Sequence, residues 1–394
     1  MLIMDSEESA LDDDFLLYSV LYSSITVVFA MAVLSKFLTN EFRFGIRSVL
    51  TLAILFIGEP LCQFLMKGPQ GVMAFGLGCL LVYSLLPSGH LPATKKAVLI
   101  TGCDSGFGHA LAKKLDSIGM NVFAACLDSK GPGALHLKNT TSTRLKIVQL
   151  DVTKEEEIHS CLQYVEGNLN RAGDPPGLWG LVNNAGTASL GEIDMTDIRQ
   201  FQKLMEVNFF GTVRMTKAFL PLLRQAGGRV VNVSSMADQL PTPFFGAYSA
   251  SKHAIKGFTE TLRHEMKKWN IQVSLIEPSG FCTGATTEDS INTVQRQTWE
   301  QMDRHTRERY GEEYYNQLFA NYRHFILNFS KDLSPVVRAM RSGLLSKRPR
   351  ERYPCGRGAE TILTLFGILP IWMSDKIIQT FGLGVKNIKP RVLS

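Results

Sequence analysis

Tyr248 and Lys252 stand four residues apart, a spacing that stacks two side chains on one face of a helix, one turn apart. A tyrosine has an ordinary pKa near ~10, too high for a base at neutral pH. An ammonium group beside it favours the phenolate and lowers that value. Thirteen residues before Tyr248, the run Arg229-Val230-Val231-Asn232-Val233-Ser234-Ser235 reads as a buried strand ending in hydroxyls. Ser235, and its neighbour Ser234, both offer a hydroxyl at that strand end. A hydroxyl, a phenol and an ammonium together suit the removal or return of a proton at a reacting oxygen.

Such a group needs a reaction partner, and the segment 97–128 supplies the means to hold one. Ala97-Val98-Leu99-Ile100 is a short apolar strand, followed by Thr101-Gly102-Cys103-Asp104-Ser105-Gly106-Phe107-Gly108 and then by a helical pattern through Ala110, Leu111 and Leu115. Strand, glycine-rich turn and helix in that order are the context of a dinucleotide-binding turn. Gly102, Gly106 and Gly108 allow the tight bend, and with Ser105 and Phe107 they open a helix whose free N–H groups face a pyrophosphate. The next strand, 121–127, ends at Asp128, twenty residues after Gly108. A carboxylate there accepts hydrogen bonds from ribose hydroxyls and repels a 2′-phosphate, so NAD is favoured over NADP, with Lys130 as the contrary feature. A third strand, 145–150, leads to Asp151, placed to accept from the adenine amino group. A fourth, 179–182, leads into Asn183-Asn184-Ala185-Gly186, whose small residues let the backbone pass close to the cofactor. The asparagine amides there can also cross-link neighbouring strands.

Composition places this unit behind a hydrophobic leader. The chain is 45% hydrophobic, and its first ninety residues are the richest part. Phe15 to Ser35 is uncharged over 21 residues, enough to span a bilayer as a helix. Gly68 to Pro87 is also uncharged, whereas Ser48 to Met66 is interrupted by Glu59 and Pro60, so one to three spans are expected within residues 1–90. The leading residues are acidic, unlike a signal peptide. Lys36, Arg43 and Arg47 follow the first span and put that side, and with three spans the catalytic domain, in the cytosol. The net charge of +6 is scattered, which excludes a nucleic-acid stripe. A basic cluster at Lys347, Arg348, Arg350, Arg352 and Arg357 reads as a solvated loop or a contact with anionic lipid. Seven cysteines without paired spacing point to a reducing compartment, and no histidine falls at metal-ligand spacing with them.

These motifs together resemble the short-chain dehydrogenase/reductase family from about Val98 to Thr283. The resemblance implies an α/β fold, a Rossmann-type doubly wound parallel sheet, here preceded by hydrophobic transmembrane helices. It implies that Tyr248 removes the alcohol proton, Ser235 polarises the reacting oxygen, Lys252 also holds the nicotinamide ribose and Asn208 holds a relaying water. Thr283 would bond the nicotinamide carboxamide, and a homodimer would form through the helices after Asn208 and around 248–268. Ser279 departs from the family's usual Pro-Gly and puts the local backbone in question.

Within the family, Val98 to Gly108, Gly177-Leu178-Trp179-Gly180 and Glu206 to Gly211 are similar to the membrane-bound hydroxysteroid dehydrogenase branch. That similarity implies a lipophilic alcohol or ketone as substrate and the endoplasmic reticulum as location. The alternatives are a retinol dehydrogenase, a 3-hydroxybutyrate dehydrogenase on a mitochondrial membrane, or a non-catalytic NAD-binding membrane scaffold. Three segments are expected: an anchor (1–90), a catalytic Rossmann domain (91–283), and a substrate lid with a membrane-associated extension (284–394). In the last, the aromatics between Trp299 and Phe325 line a lid or simply pack a core. The apolar stretch Ile362 to Met373, too short to span, lies on the bilayer or is a buried helix.

Overall fold

The computed structural model describes residues 2–39, 46–66, 68–86, 89–169, 176–381 and 390–391. The chain divides into two compact units, Met1–Leu91 with Ser346–Arg348, and Pro92–Leu345 with Pro349–Ser394.

In the first unit the helix Leu2–Thr39 contains the apolar segment Leu16–Lys36, 21 residues of mean hydropathy 2.0. At ~1.5 Å per residue it measures about 32 Å, sufficient for a hydrocarbon core of ~30 Å. Two further apolar stretches, Val49–Leu65 and Pro69–Leu85, are shorter, about 26 Å each by the same rise. By length and composition, one helix among the described residues is a candidate span. The shorter stretches pack against it: Tyr22, Phe29 and Val33 meet Phe75, Cys79 and Val82. Gly71 permits that approach, since a Cβ there would lie 2.3 Å from the Tyr22 hydroxyl. Glu59, which interrupts the second stretch, accepts from Thr26 Oγ1 (2.9 Å) and from Gln63 Nε2 (3.4 Å). Lys36 Nζ donates to the Tyr83 carbonyl (2.8 Å) and sits 3.9 Å above the Tyr83 ring. Arg43, used above for orientation, lies outside the described residues.

The second unit is built on seven parallel strands: β1 (Ala97–Thr101), β2 (Asn121–Cys126), β3 (Leu145–Gln149), β4 (Gly180–Asn183), β5 (Arg229–Val233), β6 (Gln272–Pro278) and β7 (Arg352–Cys355). Their order is β3-β2-β1-β4-β5-β6-β7, so the direction of winding reverses between β1 and β4. Alternate residues of β1 serve opposite faces, as the two-residue period of a strand requires. Val98 and Ile100 join Leu111, Leu115, Met340 and Leu344 on one side. Ala97 and Leu99 join Val165, Met215, Phe219 and Leu262 on the other. Helices on both faces explain why β1 is buried at every position rather than at alternate ones.

The sheet does not end where the sequence suggested. Its last strand comes from beyond residue 283, and the helix Ser334–Leu345 before it contributes Val336, Met340 and Leu344 to the core. Arg352-Tyr353-Pro354-Cys355 lacks an apolar run and contains a proline, which an edge strand tolerates. Tertiary pairing holds it: Leu275, Ile276, Glu277 and Pro278 stand opposite residues 352 to 355. The Glu277 carboxylate, with no exposure, accepts from Arg352 Nε at 3.0 and 2.9 Å. Replacing Arg352 by Met leaves that carboxylate buried and unpaired, and should cost about 3 kcal/mol of stability. Urea unfolding of the detergent-solubilised chain should show that loss and its partial recovery in Arg352→Met/Glu277→Gln. A single variant as stable as the parent would contradict the pair's role.

Candidate active site

At the switch between β1 and β4, the glycine-rich turn packs tightly on itself and on the segment after β4. Gly102 and Gly106 have φ of +70° and +60°. A Cβ on Gly102 would lie 2.8 Å from Ala185 Cα, and one on Gly108 would lie 2.4 Å from the Gly102 carbonyl oxygen. The turn is braced from β4. Thr101 Oγ1 accepts from the N–H groups of Asn184 (3.0 Å) and Ala185 (2.9 Å), while Asn184 Nδ2 donates to the carbonyls of Thr101 (2.8 Å) and Gly102 (3.0 Å). Asn184 was not among the expected site residues, and it does the bracing. Asn183, which was, turns the other way: its Nδ2 donates to Asn232 Oδ1 (2.8 Å) and Thr216 Oγ1 (3.0 Å), so its side chain is given to the sheet.

A second unexpected group braces the loop after β2. Asp104, inside the glycine-rich turn, accepts from the N–H groups of Leu127 and Asp128, both at 3.0 Å. It thereby fixes the loop that presents Asp128, whose own Oδ1 accepts from Lys130 N (3.0 Å). Asp151 commits one carboxylate oxygen to Thr153, from its N–H (2.9 Å) and its hydroxyl (2.7 Å). Opposite the turn, a Cβ on Gly106 would meet the Thr283 side chain at 3.5 Å, and Phe107 packs edge-on against Phe281 at 5.5 Å. The cradle left free of side chains, the helix Gly106–Ser117 behind it and the Asp128 carboxylate fit a dinucleotide.

Ser279 is accommodated by tertiary structure. Its N–H donates to the Cys355 carbonyl (2.8 Å), and its hydroxyl occupies the space that a Cβ on Gly356 would need. Gly356 has φ of +113°, and Gly280 clears the Phe329 ring, so the departure from Pro-Gly leaves the backbone path open.

Ser235, Tyr248 and Lys252 converge at the end of β5. Ser235 begins the short 3-10 turn Met236–Asp238, its Oγ accepting from Ala237 N (3.2 Å). Tyr248 and Lys252 lie on the helix Gly246–Met266, and the Ser235 hydroxyl approaches the Tyr248 phenol. Lys252 is 5% exposed; its Nζ donates to the Val233 carbonyl (3.1 Å) and lies 5.6 Å from the centre of the Tyr248 ring. Asn208, fully buried in the π-helical turn Met205–Phe210, exchanges two hydrogen bonds with the Thr187 backbone (2.8 and 2.9 Å) and donates to Ser251 Oγ (3.0 Å). It thus ties the loop after β4 to the catalytic helix. A Cβ on Gly186 would reach to 3.2 Å of Asn208 Oδ1 and 3.7 Å of Lys252 Nζ, so the absence of a side chain there keeps this corner open.

The electrostatics differ from the expectation in one respect. Burial pushes the Tyr248 phenol above its ordinary pKa; the Ser235 hydroxyl works against the rise and Asp238 adds to it. Burial also pulls Lys252 down, to about 8. Desolvation disfavours charge on both partners, so these residues alone do not deliver the phenolate that the four-residue spacing suggested.

Behind the pair runs a network that the sequence did not reveal. Gln239 Oε1 accepts from Arg352 Nη2 (2.8 Å) and Lys256 Nζ (3.3 Å), and Gln239 Nε2 donates to the Leu363 carbonyl (2.7 Å). The turn after Ser235 is therefore tied to β7 and to the helix Ala359–Ile368. Two members of the basic cluster are spent structurally, Arg352 on Glu277 and Arg350 on Glu360 (2.9 Å). On the lid side, Tyr314, Tyr315, Phe319 and Tyr322 pack with Leu190, Met195 and Phe244, so most of these aromatics form a core. Tyr322 and Phe245 stand 5.9 Å apart, and Phe245 lies 6.2 Å from Tyr248.

Known proteins agree with this geometry. A family described as short chain dehydrogenase matches residues 96–293. The chain is 40% identical to human 17-beta-hydroxysteroid dehydrogenase type 2 over 324 residues, 80% of this chain and 81% of that one. It is 37% identical to bovine 11-beta-hydroxysteroid dehydrogenase type 2 over 88% of this chain and 86% of that one. Bovine mitochondrial D-beta-hydroxybutyrate dehydrogenase is 39% identical, over 70% of this chain and 84% of its own. A short-chain dehydrogenase crystal structure from Streptomyces avermitilis superposes with a TM-score of 0.55 at 27% identity, covering 72% of this chain and 95% of that chain. With the glycine cradle and the Ser235, Tyr248 and Lys252 constellation in place, the chain belongs to the short-chain dehydrogenase family, as an oxidoreductase that acts on CH–OH groups with a nicotinamide cofactor.

Proposed function

We propose that the protein oxidises a secondary hydroxyl of a lipophilic substrate, a hydroxysteroid, with NAD as acceptor. The carrying observation is the convergence of Ser235 and Tyr248 with the buried Lys252 at the end of β5, on a chain 40% identical to human 17-beta-hydroxysteroid dehydrogenase type 2. When bound, the nicotinamide supplies the hydride acceptor and a positive charge. Ser235 orients and polarises the carbinol oxygen, and Tyr248 takes its proton. Lys252, protonated below about 8, lends its charge to the phenolate and holds the nicotinamide ribose. Asn208 holds the water that passes the proton on.

Gly102, Ser105, Gly106, Phe107 and Gly108 cradle the pyrophosphate. Asp128 takes the ribose hydroxyls, which favours NAD, and Asp151, Ala185, Gly186 and Thr283 complete the cofactor contacts. In our reading the Leu16–Lys36 helix anchors the chain in the endoplasmic reticulum, with the catalytic unit cytosolic. The helices Ala359–Ile368 and Ile371–Phe381 expose Leu365, Ile368, Ile371 and Trp372, which suits contact with the bilayer. A homodimer through the catalytic helix and the helix Gly211–Ala226 is consistent with the exposed Phe210 and Trp269 at their ends.

Membranes containing the full chain should reduce NAD with estradiol or a corticosteroid. Turnover of 3-hydroxybutyrate or retinol alone would overturn the steroid reading. Tyr248→Phe should lower kcat on the order of 10³-fold while NADH still binds, as followed by its fluorescence; retained turnover would refute the assigned base. Asp128→Ser should move the preference between NAD and NADP toward NADP, and an unchanged ratio would remove Asp128 from that role.

A further inference from the structure

The turn that carries Ser235 also carries a buried acid that the mechanism does not use. Asp238 is 1% exposed, and neither of its carboxylate oxygens has a partner in hydrogen-bond geometry, although the Ser234 hydroxyl lies close. That hydroxyl donates instead to the Lys252 carbonyl (3.2 Å). A second carboxylate, Glu277 on β6, is buried beside it but is already satisfied by Arg352. The charged and titratable groups facing Asp238 are Glu277 on β6, Arg352 on β7, and Tyr248, Lys252 and Lys256 on the catalytic helix. A carboxyl so placed, desolvated and next to a like charge, holds its proton more tightly than an exposed aspartate.

We propose that Asp238 is a positioning acid–base residue, whose charge sets the pH at which the Tyr248 phenol gives up its proton. It touches neither substrate nor cofactor in this role; it acts through the field it exerts on Tyr248 and Lys252. Burial, followed by the neighbouring Glu277, raises Asp238 to about 7. Below that pH the side chain is neutral and silent. As pH rises through it, the proton leaves to solvent, and the new negative charge raises the pKa of both Tyr248 and Lys252. Ionised Asp238 therefore keeps the phenol protonated to higher pH, which opposes oxidation and favours the reverse, proton-donating direction.

This inference rests on Tyr248 being the base, and the experiment separates the two. The full-length chain in detergent is assayed for alcohol oxidation across pH as the parent, Asp238→Asn, Asp238→Glu and Tyr248→Phe. The ascending limb of kcat should move to lower pH by about one unit in Asp238→Asn, and return toward the parent in Asp238→Glu. Tyrosinate absorbance, taken as the difference between chains with and without Tyr248→Phe, should move with it. A limb and a tyrosinate titration that stay put in Asp238→Asn, with Tyr248 still required, overturn the role of Asp238 alone. Turnover that survives Tyr248→Phe overturns the assignment of the base, and this inference with it. Should Asp238→Asn not fold, infrared spectra of the parent decide. A neutral-carboxyl band must vanish as pH rises through about 7, and its absence overturns the proposal.

Discussion

A lysine ammonium held almost out of water is the constraint on which the rest of this site depends. Lys252 reaches across from its helix to the Val233 carbonyl at the end of β5, and burial disfavours its charge. The arrangement survives only because the surroundings are fixed. The strand end is locked by its parallel neighbours, β4 and β6, and the helix is held by Asn208 through Ser251. The same desolvation that lowers Lys252 raises Tyr248, so both partners favour their neutral forms.

That dependence explains which parts of the molecule were legible in the sequence. Gly102, Gly106, Gly108, Ser235, Tyr248 and Lys252 are recognisable because short-range backbone geometry and chemistry fix both their types and their spacing. Each of the first six strands carries at least two adjacent apolar residues, and they were readable for the same reason. β7 was not, because Arg352-Tyr353-Pro354-Cys355 is a strand only by virtue of pairing with β6 and of the Glu277–Arg352 ion pair. The braces Asn184 and Asp104 likewise act on residues close in space and distant in sequence. Asn183 supplies a cross-link of the kind that its amide offered. Its neighbour in an Asn-Asn pair faces the glycine turn, and the two-residue period of a strand sends Asn183 itself into the sheet.

The departure at Ser279 is instructive for the same reason. Locally it looks like a defect in a motif, but Gly356 at φ +113° leaves room for its hydroxyl. Change at one position is balanced by a residue more than seventy places along the chain, on the loop after the strand that the sequence hid. The C-terminal segment is thus part of the catalytic unit, as Gln239 also shows by linking the turn of Ser235 to Arg352 and to the backbone at Leu363. Sequence length beyond the family motifs did not reveal that connection, because nothing in its composition encodes a hydrogen bond to a distant turn.

The central claim is that a hydride leaves a carbinol carbon while Tyr248, beside the buried Lys252, takes the hydroxyl proton. The most direct measurement follows a hydroxysteroid carrying deuterium on its carbinol carbon through a single turnover with NAD and the full-length membrane-bound chain. The account predicts deuterium at the reacting carbon of the reduced nicotinamide, a slower turnover than with the unlabelled alcohol, and loss of transfer when Lys252 is replaced by Met. Reduced cofactor that carries no label, or transfer undiminished without Lys252, would contradict it.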